Sequence, residues 1–351
     1  MARGESIGHS RNRRSGAPDG RGSERPSQRA GVYPTNDSMP LPTFIIGGER
    51  RGGTTALYYW MKTHPSIYFY PQADMDYFIE KEIAATRVWR DGKADAEQWE
   101  RTHSVAGYSE MFNGAEGFPT IGQKDADLLF WRPAHARLAR FLPNTRFIFT
   151  LRDPVKRAWS HYCNELGKGR EDLAFGDALA AEDERIARSD YARLHLSYRR
   201  RGSYSESLRA FYDHVDPSRV LVLILEECLA EPLAALQEVY AFIGVSPTLG
   251  LENAGRKFNE NPVTFPKPWA RSPGIASLER VYSRVSDGII RRIAQDRETR
   301  TRMRLRAQSI FRLPASTLQI PESVRNDLAG HFAPDIDKLE GLLGRRLPWK
   351  R

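Results

Sequence analysis

The sequence predicts an α/β fold in which a parallel β-sheet is flanked by helices on both faces. Three short segments, residues 44–46, 146–151 and 219–225, are strongly apolar, as expected of strands buried on both faces of a parallel sheet. A segment with helical spacing follows each of them, so strands and helices alternate along the chain. Such alternation is typical of parallel strands joined by helical crossovers.

The remaining elements follow from local signals. The helix predicted over residues 54–63 ends at His64-Pro65, because the residue before a proline avoids the helical conformation. A second short strand is predicted over residues 67–70, and Gly244 stands where a C-cap glycine belongs. We also expect helices over 94–104, 133–141, 155–166, 175–187, 203–214 and 232–243, loops over 114–120 and 259–275, and amphipathic helices in the C-terminal part.

The composition narrows the class of ligand without choosing one. Of the 351 residues, 40% are hydrophobic, which is typical of a folded globular protein. The formal net charge of +9 favours acidic ligands such as nucleotides, nucleic acid, anionic glycans or membrane surfaces. Two cysteines, Cys163 and Cys228, are too few for a disulfide framework or a zinc site, and we expect both to be free and at least half-buried.

Residues 1–40 are predicted to form a disordered basic tail ahead of a single domain over 41–351. The tail carries seven arginines among many Gly, Ser and Pro residues and lacks the apolar core of a secretory signal. A solvated tail is the favoured interpretation, while weak contact with nucleic acid or an anionic surface, or a targeting role, stays open. The sequence contains no run of 18 apolar residues, so no membrane span is predicted. We expect a cytoplasmic protein.

The turn after the first strand has the composition of an anion-binding loop. Gly52 and Gly53 allow the backbone to approach a ligand closely, because glycine has no Cβ. The first N–H groups of the following helix have no partner within it, and the helix dipole favours negative charge there. The candidate ligands of this P-loop-like turn are Arg50, Arg51, Gly52, Gly53, Thr54 and Thr55.

Two alternatives to a dedicated anion site stay open at this turn. Gly48 to Thr55 reproduces the spacing G-x-x-x-x-G-K-[ST] of ATP and GTP P-loops, except that Thr54 stands at the lysine position. A P-loop-type ATP-dependent kinase is therefore disfavoured but possible. An ordinary tight strand-to-helix turn is the second alternative.

A second basic turn follows the strand over residues 146–151. Arg152 ends the strand, Asp153 is positioned to cap the next helix, and Pro154 fits its first turn. An arginine together with Ser160 suits a second phosphate, although a capped helix with solvated arginines is the simpler alternative. Because ligands of parallel sheets bind beyond the carboxyl ends of the strands, both turns are predicted to face one crevice. A ligand with two separated anionic groups would engage both.

The two segments together resemble those of the sulfotransferases that use 3′-phosphoadenosine 5′-phosphosulfate (PAPS). Residues 48–55, GERRGGTT, are similar to the family's 5′-phosphosulfate loop, and residues 151–162, LRDPVKRAWSHY, to its 3′-phosphate motif. The resemblance implies that Arg152 and Ser160 bind the 3′-phosphate and that residues 51–55 bind the 5′-phosphosulfate. It extends through residues 201–208, 220–226 and 339–349, and is greatest to the heparan-sulfate-like and bacterial branch.

The resemblance also implies catalytic residues. Arg51 stands where many members have the lysine that steadies charge on the leaving phosphate. Asp74 matches the glutamate that takes the acceptor's proton in the heparan-sulfate-like branch, but it is one methylene shorter. Asp76, another group, or a helix-capping role for both acids therefore stays open. Lys124 is positioned to supply a cation near the sulfonate, or is a solvated loop lysine.

The expected reaction is in-line sulfuryl transfer from PAPS to a hydroxyl or amine of a glycan or small-molecule acceptor. PAPS is the expected co-substrate, no metal is expected, and no specific nucleic-acid partner is expected. A non-catalytic nucleotide-binding homologue and a nucleic-acid binder acting through the arginine-rich tail remain alternatives. The oligomeric state is not predicted.

Overall fold

The computed structural model describes residues 40–70, 78, 105–256, 264–267, 270, 272–294, 297–314 and 318–349. Several predictions concern residues outside these ranges. The basic tail up to residue 39, the helix over 94–104, and both candidate bases, Asp74 and Asp76, lie outside the described residues.

Five parallel strands form the central sheet, which confirms the α/β prediction. The strands are β1 (Phe44–Gly48), β2 (Ile67–Phe69), β3 (Thr120–Lys124), β4 (Arg146–Leu151) and β5 (Val220–Ile224), arranged in the order β2-β3-β1-β4-β5. In the middle strand, Ile45 lies opposite Gln123 of β3 and Phe147 of β4. The turns after β1 and β4 therefore leave neighbouring strands at the same edge of the sheet.

Helices cover both faces of this sheet. They are α1 (Thr54–Met61), α2 (Val105–Glu110), α3 (His135–Phe141), α4 (Pro154–Gly167), α5 (Phe175–Ala180), α6 (Glu182–Arg188), α7 (Asp190–His195), α8 (Tyr204–Tyr212), α9 (Leu225–Ala230), α10 (Pro232–Ile243), α11 (Pro273–Ile293), α12 (Arg297–Gln308) and α13 (Glu322–Leu343). Because side chains alternate along a strand, Phe147 and Phe149 pack with α4, α8 and α13, whereas Ile148 packs with α1 and α10.

Strand β3 was not predicted, because its sequence TIGQK is not apolar. All five residues are nevertheless buried between β1 and β2. Gly122 makes this possible, since a Cβ there would lie 2.5 Å from the Phe44 ring and 2.7 Å from the Phe69 ring. The solvated-loop interpretation of Lys124 is therefore wrong: Lys124 ends a central strand and is only 4% exposed.

Other differences concern element boundaries. The helix expected over 175–187 is two helices, α5 and α6, and part of the loop expected over 259–275 forms β6 (Thr264–Pro266), which pairs antiparallel with β7 (Arg312–Pro314). Gly244 caps α10 with a φ of 80°, and Cys163 and Cys228 are free and buried, as predicted. Within the described ranges, none of the helices has the length and apolar character needed to cross a bilayer.

Candidate functional site

The turn between β1 and α1 packs directly against the end of β4. The Glu49 N–H donates to the Thr150 carbonyl at 2.9 Å, and the Gly52 N–H donates to the Glu49 carbonyl at 2.8 Å. A Cβ on Gly52 would lie 2.2 Å from the Thr150 oxygen, and one on Gly53, whose φ is 107°, would lie 2.5 Å from Leu225. Both glycines are therefore required by the fold of the turn itself.

The second turn has the predicted cap. The Asp153 carboxylate accepts from the Lys156 N–H at 3.0 Å, and Pro154 occupies the first turn of α4. Tyr204, which is not part of the turn, stabilises it, because its hydroxyl donates to the Arg152 carbonyl at 2.8 Å. The Arg152 backbone is thus held in place, while its side chain extends into the space in front of the sheet.

Both turns line one cleft of about 1170 Å³ at the carboxyl edge of the sheet, as the sequence predicted. The predicted site residues on its wall are Arg50, Arg51, Gly53, Thr54, Thr55, Lys124 and Arg152. Asn164, Lys168, Arg170 and His195 line the same cleft, together with Trp60, Leu225, Leu229 and Arg256. Among the described residues, the wall is strongly cationic, and the one carboxylate that lines it, Asp127, is paired with arginine.

Arg51 connects the two turns. Its Nε donates to the Ser160 Oγ at 2.9 Å, so the first turn and helix α4 meet at this contact. Burial lowers the pKa of Arg51, and the neighbouring positive charge of Arg152 lowers it further. In the part of the chain that the structure describes, the Arg152 guanidinium has no hydrogen-bond or ion-pair partner. Two adjacent guanidinium groups create a positive potential that favours an anion.

Arg50 is held by a carboxylate. Its Nε and Nη2 donate to the two oxygens of Asp127, at 2.9 and 2.5 Å. Its Nη1 lies 3.2 Å from the Nδ1 of His195. The guanidinium lines the cleft, but its bidentate edge faces Asp127. Its contribution to ligand binding remains a prediction.

A buried ion-pair network supports the first turn from behind. Arg201 is fully buried, and its Nη1 and Nη2 donate to Glu49 at 2.6 Å and to Asp127 at 2.7 Å. Its guanidinium also lies over the Phe130 ring, 4.1 Å from the centroid. Burial raises the pKa of Glu49, while the charge of Arg201 opposes that rise. Through Asp127 this network also orients Arg50.

Comparisons with known proteins identify the family of this chain. Residues 42–248, more than half of the chain, match the model of a family described as the sulfotransferase family. The chain belongs to the sulfotransferase family. Its resemblance to that family, stated above from two motifs, is thereby confirmed, and the kinase interpretation is not favoured.

Among the relatives of this sulfotransferase-family chain are enzymes named for heparan sulfate. Human heparan sulfate glucosamine 3-O-sulfotransferase 3B1 is 24% identical over 222 residues, which cover 63% of this chain and 51% of the relative. Human bifunctional heparan sulfate N-deacetylase/N-sulfotransferase 3 is 25% identical over 214 residues, 59% of this chain and 23% of the relative. The chain thus spans about half, or less, of the length of these relatives.

A solved sulfotransferase from Alicyclobacillus acidocaldarius shares the fold. It superposes with a TM-score of 0.59 at 21% sequence identity, over 88% of this chain and 98% of that one. This likeness supports the arrangement of sheet and helices and says nothing about the acceptor.

Helix α4 presents site residues that the sequence motifs did not include. Asn164 and Lys168 follow Ser160 at spacings of four and eight residues, so they lie on the same side of the helix and its C-cap. That spacing was the signal that could have identified them. Arg170 and His195 carried no comparable signal, because they reach the cleft from beyond α4 and from the end of α7.

These residues meet at a buried carboxylate. Glu165 is fully buried and accepts from the Asn164 amide at 2.7 Å and from Arg170 Nη1 at 2.8 Å, with the Lys168 Nζ 3.5 Å away. Burial by itself would raise the pKa of Glu165, but the charges of Lys168, Arg50 and Arg170 together hold this pKa below its ordinary value. Glu165 is therefore an anion that orients the cations of the cleft.

His195 has a defined tautomer in this network. Its Nδ1 lies 2.7 Å from Arg170 Nη1 and 3.2 Å from Arg50 Nη1. Because both neighbours are donors, Nδ1 accepts and the proton of the neutral ring lies on Nε2. In the described ranges, no group of three or more His, Cys, Asp or Glu side chains is arranged to hold a metal, and independence of a metal remains a prediction.

Proposed function

We propose that the protein transfers a sulfuryl group from PAPS to a hydroxyl or amine of an acceptor. The observation that carries this proposal is the Arg51–Ser160 contact of 2.9 Å, which brings two anion-binding turns into one cleft beside Arg152. A donor nucleotide with separate 3′ and 5′ anionic groups matches such a pair of turns. The family match supports the same reaction class.

The residues present fit the donor. Gly52 and Gly53 let the turn pack closely on β4 and Leu225. The first N–H groups of helix α1 have no partner within the helix, which suits an anion. We assign the 5′-phosphosulfate to Arg51, to the hydroxyls of Thr54 and Thr55, and to these N–H groups. The 3′-phosphate is assigned to Arg152 and Ser160.

During transfer, charge grows on the phosphate oxygen that leaves and on the sulfonate oxygens. Preplaced cations and N–H donors stabilise that charge without reorganisation, so we assign this task to Arg51 and Lys124. The position of Lys124, at the end of β3 and among the residues that line the cleft, supports this assignment. Arg51 stays protonated at neutral pH and acts electrostatically, never as an acid.

The acceptor must lose a proton as it attacks, and we assign this step to a carboxylate base. Asp74 is the first candidate, from its match to the glutamate of the heparan-sulfate-like branch, and Asp76 is the second. Glu165 is excluded from the role because Asn164, Arg170 and Lys168 already engage its oxygens.

The acceptor class follows from the relatives and from the charge of the cleft. Two groups of relatives are named for the sulfation of heparan sulfate, an anionic glycan. Lys168 and Arg170 continue the cationic wall beyond Ser160, which favours an acceptor with negative charge. We therefore infer a glycan acceptor, with an anionic small molecule as the second possibility.

Calorimetric titration with adenosine 3′,5′-bisphosphate tests the donor site. We expect micromolar binding by the wild type, loss of binding in Arg152→Ala, and retention in Arg146→Ala, an exposed arginine at the opposite end of the same strand. ATP with Mg²⁺ serves as the competing ligand. Binding of ATP alone, or of neither nucleotide, contradicts the proposal.

A further inference from the structure

Helix α11 carries an exposed apolar stripe that no described element covers. Its members follow one another at spacings of three and four residues, so they lie along one side of the helix. They are between 50% and 64% exposed: Leu278, Val281, Val285, Ile289 and Ile293. Isolated exposed apolar residues are ordinary, whereas a continuous stripe of five along 21 residues marks an interaction surface.

The charges around the stripe have one sign. Arg280, Arg284, Arg291 and Arg292 are the exposed charged side chains of this helix. Its two acids are directed elsewhere: Glu279 accepts from Arg312 at 3.0 Å, and Asp287 accepts from Arg304 at 2.7 Å. Helix α12, which packs on α11, contains five arginines and one glutamate, and Arg304 among them is the partner of Asp287.

Helix α11 is also connected to the rest of the domain through Arg312. Arg312, which binds Glu279, donates to the Gly167 carbonyl at 2.6 Å. Gly167 ends α4, next to Lys168 of the cleft. These contacts anchor the N-terminal part of α11, at Glu279, to the end of α4.

We propose that this face of α11 binds the surface of an anionic lipid bilayer, with the helix lying in the plane of the interface. The apolar stripe would enter the boundary between headgroups and acyl chains, while the arginines at its margin would reach the lipid phosphates. A second copy of the chain is a poorer occupant, because symmetric pairing would bring arginines against arginines.

Co-sedimentation of the full chain with lipid vesicles tests this inference. We expect binding to vesicles of phosphatidylcholine with phosphatidylglycerol, and little binding to phosphatidylcholine alone. The triple variant Leu278→Ser, Val285→Ser, Ile289→Ser should bind the anionic vesicles at least about tenfold more weakly. That variant keeps every charge, so adsorption through the arginine-rich N-terminal residues is unchanged.

Two further variants complete the test. Leu233→Ser with Leu249→Ser removes apolar side chains that are 53% and 47% exposed but lie off the stripe, and it should bind like the wild type. Arg284→Gln with Arg291→Gln should weaken binding and reduce its dependence on salt. Circular dichroism and thermal unfolding establish that each variant is folded.

Three outcomes overturn the inference: no binding of the wild type to anionic vesicles, equal binding to neutral ones, or wild-type affinity in the triple variant. Light scattering tests whether a second copy of the chain, and not a bilayer, covers this face. A wild-type dimer that the triple variant converts to a monomer, without vesicle binding, would make α11 an interface between copies.

Discussion

Arg201 and Glu49 form a buried ion pair, with the Arg201 Nη1 2.6 Å from the Glu49 Oε1. The two residues lie 152 positions apart in the chain. Arg201, just before α8, thereby contacts the turn after β1, while Tyr204, the first residue of α8, holds the turn after β4. Residues 201–204 thus contact both the turn after β1 and the turn after β4.

Replacing Arg201 should destabilise the fold strongly. Arg201→Met leaves Glu49 and Asp127 buried without this partner, and we expect the free energy of unfolding to fall by about 3–5 kcal/mol. Urea denaturation measures the change. Arg200→Met is the matched control, because Arg200 pairs with Asp183 at the surface, and a loss below about 1 kcal/mol is expected there. Equal losses in both variants would refute the role of Arg201.

Arg51 should affect turnover more than donor affinity. Removing one charge-stabilising donor typically lowers kcat by about 10²–10³-fold, and we expect this for Arg51→Ala. Arg51→Lys keeps the charge and should recover much of the rate. Sulfate transfer from labelled PAPS, with Arg209→Ala of α8 as the control, measures the effect. A kcat within about threefold of the wild type would remove Arg51 from catalysis.

Asp74 should separate binding from chemistry. Asp74→Asn removes the proposed base while leaving the donor turns unchanged, so bisphosphate binding should persist and transfer should be lost. Calorimetry and a transfer assay on the same preparation give both values, with Asp76→Asn as the parallel variant. If Asp74→Asn transfers at the wild-type rate and Asp76→Asn does not, the base is Asp76.

His161 should make the fold sensitive to mild acid. Burial, together with the charges of Arg50, Arg157 and Arg201, holds the pKa of His161 well below its ordinary value of 6.5. In mild acid, His161 is therefore protonated in the unfolded chain but stays neutral in the folded chain. The contribution of His161 to stability is therefore fully present above about pH 6.5. Below that pH the free energy of unfolding decreases, by up to about 1.4 kcal/mol per pH unit for this group.

Urea denaturation from pH 8 to 5 tests this slope. In His161→Gln we expect stability to decrease less steeply with falling pH. The smaller decrease that remains comes from His135, because burial also lowers the pKa of that ring. His331→Gln, at an exposed position of α13, should leave the slope as in the wild type. An unchanged slope in His161→Gln would show that this ring titrates normally.

The two turns were predictable because their signals are local. Gly52 and Gly53, the Asp153 cap and the Pro154 start each act within a few residues, and the strands before them are apolar enough to recognise. Strand β3 was missed because its burial depends on its neighbours: a glycine is needed at position 122 because the rings of Phe44 and Phe69 occupy the space of a Cβ. The choice between a site cation and a solvated loop lysine stayed open for Lys124 for the same reason, since its burial depends on the neighbouring strands.

By itself, the sequence determined the parallel α/β class, the two basic turns and the resemblance to sulfotransferases, since these rest on patterns among residues close in the chain. Only the tertiary structure decided that Arg51 reaches Ser160, that Arg50 is turned to Asp127, and that Glu165, Arg170 and His195 join the cleft. Each of these contacts depends on how segments distant in the sequence pack together. A charged side chain that becomes buried pairs with whichever opposite charge the packing brings close to it.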